Sequence, residues 1–92
     1  MHRNPARRSL RERQTERKLR RLHVKVGRAF GPHLRTLRER AGLSQGDLAG
    51  ATYDRSFIAK LESGVSLPSL ETIERIAAVL RIRPRRLIPQ EL

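Results

Sequence analysis

From Phe30 to Ile88 apolar residues recur three and four positions apart, in runs that stop near glycine and restart after a capping residue. That rhythm specifies short helices, because a strand face repeats every second residue and no segment here sustains such alternation. Phe30, Leu34, Leu37 and Ala41 share one helical face, with Gly42 placed for a left-handed C-terminal cap. Pro32 sets the start of this helix close by, since proline is comfortable only in a first turn. Ser44 and Asp47 have the spacing of a capping box for a second helix. Asp54 is placed to cap a third, carrying Phe57, Ile58 and Leu61 and ended by Gly64. Ser69 is placed to cap a fourth, with Leu70, Ile73, Ile76, Ala77 and Leu80 on its apolar face. Pro84 opens a short fifth helix holding Leu87 and Ile88. The expected fold class is all-α: a compact five-helix domain over residues 27–92.

Charge divides the chain unevenly. The 21 Lys and Arg against 9 Asp and Glu give a net charge of +12. Residues 1–26 hold ten basic and two acidic residues, and residues 27–92 hold eleven and seven. The basic excess suits a polyanionic partner, because each neutralised phosphate releases condensed counterions. Arginine outnumbers lysine, which favours forked contacts to phosphate and guanine. Residues 1–26 have few apolar positions, although Leu19, Leu22 and Val26 fit one helical stripe. Ser9 and Glu12 have capping-box spacing, and Glu16 and Arg20 lie one turn apart. The expectation for 1–26 is a basic arm, disordered or partly helical, that orders on DNA phosphates or in the minor groove. A nonspecific tail, an RNA contact and translation starting near Val24 or Val26 are the alternatives.

Other classes of function find little support. There is no cysteine for a disulfide, a thiolate metal site or a thiol nucleophile. His2, His23 and His33 are scattered, and neither a phosphate loop nor a dinucleotide fingerprint occurs. No apolar run approaches the ~20 residues of a membrane span. A cytoplasmic, nucleoid-associated protein that is not an enzyme and uses no metal or cofactor is expected.

Three segments carry a family resemblance: Gly42-Leu43-Ser44-Gln45-Gly46-Asp47-Leu48-Ala49, Phe57-Ile58-Ala59-Lys60-Leu61-Glu62-Ser63-Gly64 and Pro68-Ser69-Leu70-Glu71-Thr72-Ile73. In that order they resemble the phage-repressor and Cro-like (Xre-type) helix-turn-helix family, from about Phe30 to Ile88. The resemblance implies a helix-turn-helix over about 44–64, with the third helix, about 55–62, entering the major groove. It also implies that Gln45 meets a phosphate and that Arg38 and Glu62 form a scaffold ion pair between helices one and three. Members of the family include antitoxins that bind a toxin and repress their own operon. Others are restriction-modification controllers, and the Asp54–Ile58 segment leans toward the controller type.

The residues agree with that reading. With Ile58 and Leu61 turned inward, Arg55, Ser56, Ala59 and Lys60 are the candidates for reading bases, Arg55 through guanine O6 and N7. Ser44, Gln45, Ser63 and Ser66 are the candidates for phosphate contacts, near helix ends and turns where backbone amides favour anions. Two half-sites about one helical turn apart call for a homodimer. Ile82, Leu87 and Ile88 are candidates for its contact, with completion of the monomer core as their alternative role. The chain also departs from the family pattern. It has one residue fewer between Ala49 and Ile58, and the turn glycine is replaced by Ala51-Thr52-Tyr53. Helix two is therefore expected to end early, with Tyr53 swinging inward.

Overall fold

The computed structural model describes residues 9–92. The first eight residues of the expected arm, His2 among them, lie outside the described residues. Four α-helices follow in order: α1 (Leu10–Arg40), α2 (Gln45–Ala49), α3 (Arg55–Glu62) and α4 (Leu70–Leu80). A 3-10 turn, Pro84–Leu87, closes the fold. It stands where a fifth helix was expected. Pro84 lacks an N–H, Pro89 cannot extend a hydrogen-bonded ladder, and Ile88 N–H already bonds to Arg85 C=O at 3.2 Å.

The first helix is the main correction. α1 runs for 31 residues and passes unbroken through Gly27, where the charge pattern suggested a boundary. Ser9 caps it by accepting Glu12 N–H at 3.2 Å, as its spacing predicts. Residues 10–26 are rich in Arg, Lys, Leu, Glu and Gln, all good helix formers. Glu16 and Arg20 approach to 3.7 Å, a surface pair that adds little. Pro32 lies inside α1, not at its start. An interior proline costs about 3 kcal/mol. Here the buried Phe30, Gly31 and Leu34 on either side hold the helix through it. Ala41 ends α1, and Gly42 leaves it at φ 73° as expected.

α1 packs on α3, α2 packs on α3 and α4, and the 3-10 turn packs on α4 and α1. The core at their meeting contains Phe30, Leu34, Leu48, Ile58, Leu61, Ile76 and Leu87 among its most buried side chains. Leu70 does not join this face. It opens α4 at 81% exposure, a turn too early to reach the core. Tyr53 does swing inward. It packs against the core, donates its hydroxyl to Thr72 Oγ1 at 3.3 Å, and sets its ring 5.0 Å from that of Phe57.

Candidate nucleic-acid interface

Ser44 caps α2 with its hydroxyl accepting Asp47 N–H at 3.0 Å, while Ser44 N–H reaches the Asp47 carboxylate at 2.9 Å. This is the reciprocal box that the spacing predicted. α2 ends at Ala49, and Gly50 turns the chain at φ 58°, ψ −145°. That conformation is open essentially to glycine alone. The turn glycine thought missing is therefore Gly50, placed directly after a short α2, and Ala51-Thr52-Tyr53 follow it. Asp54 takes the cap position of α3, but its side chain makes no capping bond.

α3 presents two faces. Ile58 and Leu61 are fully buried, and Phe57 is half-buried beside Tyr53. Arg55, Ser56 and Lys60 are exposed, with Ala59 half-buried among them. The four base-reading candidates thus lie away from the core on an eight-residue helix.

What holds α3 is a charge network at its end. Arg38 donates from Nε to Glu62 Oε2 at 2.6 Å and from Nη2 to Oε1 at 3.0 Å. Its Nη1 donates to the Leu43 carbonyl at 2.9 Å, so one guanidinium ties α1 to α3 and to the start of α2. Gln45 adds a bond to Glu62 Oε1 at 3.2 Å. Burial pushes the Glu62 carboxyl up, but the bonds from Arg38 and Gln45 and the charges of Arg38 and Arg35 hold it below its ordinary range.

The phosphate candidates have partners already, which decides what each can still donate. Ser44 Oγ accepts from Asp47 and retains its own O–H. Gln45 uses one amide hydrogen on Glu62 and retains the other. Ser63 spends its only hydroxyl hydrogen on the Lys60 carbonyl at 3.1 Å, so it has none for a phosphate unless it rotates. Ser66 N–H bonds to that same carbonyl at 3.1 Å and fixes the turn after α3. Among the dimer candidates, Leu87 is fully buried in the chain's own core and Ile82 packs against that core. Ile88 remains 44% exposed.

Sequence reasoning missed the contact that brings α3 against α1. A Cβ on Gly27 would stand 2.5 Å from the Gly64 carbonyl, and one on Gly31 would collide with the Glu62 carbonyl. Backbone therefore meets backbone where α1 crosses the end of α3. The signal available was the pair of glycines one helical turn apart, of which only Gly27 entered the reading, as the start of the folded domain. Two histidines were missed as well. His23 Nε2 lies 3.2 Å from the Val65 carbonyl, in the turn after α3. His33 Nε2 donates to the Arg86 carbonyl at 2.6 Å, joining α1 to the 3-10 turn.

A short helix pinned by its end, with its polar face outward and a capped helix behind it, defines a helix-turn-helix protein. Residues 29–89 match the family described as a helix-turn-helix domain, and the chain belongs to that family. Membership places it with DNA-binding regulators of transcription. Comparison with curated proteins gives no match. Among the described residues no helix is long and apolar enough to cross a membrane.

Proposed function

We propose that the chain is a sequence-specific regulator that inserts α3 into the major groove of double-stranded DNA. The observation that carries this reading is the division of α3: Ile58 and Leu61 buried, and Arg55, Ser56 and Lys60 exposed on the same two turns. The first turn of a recognition helix is aimed most directly at base edges, which gives Arg55 the guanine-reading role and Ser56 a base or phosphate. Lys60 reaches a base edge or the backbone, and Ala59 permits close approach. Ser44 and Gln45 donate to a phosphate at the start of α2 with the hydroxyl hydrogen and the second amide hydrogen that their bonds within the chain leave over.

A single α3 reads only a few base pairs, so binding as a dimer to two-fold-related half-sites supplies the specificity a genome demands. With Leu87 and Ile82 engaged in the monomer, Ile88 is the member of that trio free to meet a second copy.

Selection from a randomised duplex pool at physiological salt tests the reading. Enrichment of paired, two-fold-related half-sites is the expected result. Binding without enrichment, vanishing as salt rises, would reduce the protein to a nonspecific polycation.

A further inference from the structure

The N-terminal half of α1 extends well past the helix-turn-helix. From Gly27, where α1 meets Gly64, back to Leu10 the helix covers about 25 Å at 1.5 Å per residue. Leu10, Leu19, Leu22 and Val24 are about half exposed or more along this length, so the segment is not core. It is nonetheless helical, which fixes the direction of every charge it carries.

Those directions are ordered. Residues seven apart on a helix lie nearly in line, two turns on. Arg13 and Arg20 therefore share the stripe of Gly27, the residue that touches the end of α3, together with Glu16, whose carboxylate lies 3.7 Å from Arg20 and gives it up to a phosphate at little cost, because the pair is on the surface. Arg17 lies beside that stripe. Arg11, Lys18 and Lys25 form a second line on the opposite side of the helix. All six side chains are exposed. The segment leaves the body beside the turn after α3, where His23 Nε2 stands 3.2 Å from the Val65 carbonyl. Ser63 and Ser66 are in that same turn, next to Val65.

We propose that Arg13, Arg17 and Arg20 form a rigid second phosphate-binding surface, contacting duplex DNA outside the base pairs that α3 reads. This rests on the DNA-binding reading above and gives it a second contact region. The contact is sequence-independent, because it is made by exposed guanidinium groups on the α3 side of a helix, without an inserted side chain. Its reach corresponds to about seven base pairs at 3.4 Å each. A mobile arm would spread its charge over many geometries. A helix delivers three guanidinium groups on one side, so the flank must be present and duplex.

The test compares two duplexes carrying the site recovered by selection, one trimmed to that site and one with ten arbitrary base pairs added at each end. The full-length wild-type chain should bind the extended duplex on the order of tenfold more tightly at about 0.1 M salt. Substituting Arg13→Ala, Arg17→Ala and Arg20→Ala together should remove that advantage and flatten the salt dependence by roughly 2–3 in log–log slope. Alanine keeps the helix, which far-ultraviolet circular dichroism verifies. The control removes the same charge from the other side with Arg11→Ala, Lys18→Ala and Lys25→Ala, and should retain most of the advantage. Equal losses in the two triple variants would overturn the proposal, since diffuse charge would then account for the effect. Wild-type binding indifferent to the flanks would overturn it while leaving the role of α3 intact. Failure of the wild type to bind any duplex would overturn both.

Discussion

Arg38 and Glu62 are joined by two hydrogen bonds, at 2.6 and 3.0 Å, with only 12% and 5% of their side chains exposed. One partner comes from the long helix and the other from the last residue of α3, so the pair sets where the DNA-facing helix sits. Removing one member strands the other charge in a place that water barely reaches. Arg38→Ala or Glu62→Ala should lower stability by about 3 kcal/mol in urea unfolding. The double variant should lose less than the sum, because the stranded charge is then gone. Additive losses would mean the two side chains do not act as a pair.

The same carboxylate gives a pH signature. Glu62 is held below its ordinary range in the folded chain, so its stabilising effect is complete above the unfolded-state value and is lost as pH falls through the folded one. The stability difference between wild type and Glu62→Gln should stay constant from about pH 7 to 5 and shrink below about pH 4. Asp47 is lowered in the same direction by its backbone and side-chain bonds to Ser44, and it remains in both proteins to cancel. A gap that widened in acid would reverse the sign and rule out the ion pair as its source.

Three glycines should respond differently to the same added methyl group. Gly31→Ala forces a Cβ into the Glu62 backbone and should destabilise by about 1–3 kcal/mol, with α3 pushed off α1 and DNA binding weakened. Gly50→Ala meets open space but a glycine-only backbone at φ 58°, ψ −145°, so conformational strain alone should cost about 1–3 kcal/mol. Gly46→Ala meets nothing nearer than Ser44 Oγ at 3.8 Å within α2 and should stabilise by about 0.5–1 kcal/mol. Thermal unfolding of the three variants checks the order, and Gly31→Ala as stable as wild type would mean α1 and α3 do not cross so closely.

These glycines also show what was legible in the sequence and what was not. Ser44 with Asp47, Ser69, Gly42 and Gly64 were readable because a cap acts within four residues of itself. The burial of Ile58 and Leu61 was readable from helical periodicity, and Arg38 with Glu62 from the family resemblance. The contact of Gly27 and Gly31 with α3 was not, since its meaning depends on a segment far along the chain. Pro32 misled for a related reason: local propensity forbids it in mid-helix, and only the buried Phe30 and Leu34 around it override that preference. Leu70 fitted the apolar period of α4 but lies one turn before the core begins. Gly50 was passed over because a short α2 put the turn glycine earlier than the pattern led one to look.

Arg55 and Lys60 stand at opposite ends of the exposed face of α3, and this separates two ways of holding DNA. Arg55, in the first turn, is placed for a forked bond to guanine, which discriminates one base from the others by about 1–3 kcal/mol. Arg55→Ala should therefore weaken the selected site by that amount, relax a single position in each half-site, and leave binding to unrelated sequence little changed. Lys60 sits a turn and a half later, beside the Ser63–Ser66 turn. If it bonds phosphate there, Lys60→Ala should weaken all sequences alike and reduce the salt slope by about 1. Repeating the pool selection with each variant distinguishes the two. A uniform loss from Arg55→Ala would move base reading to Ser56 and Lys60.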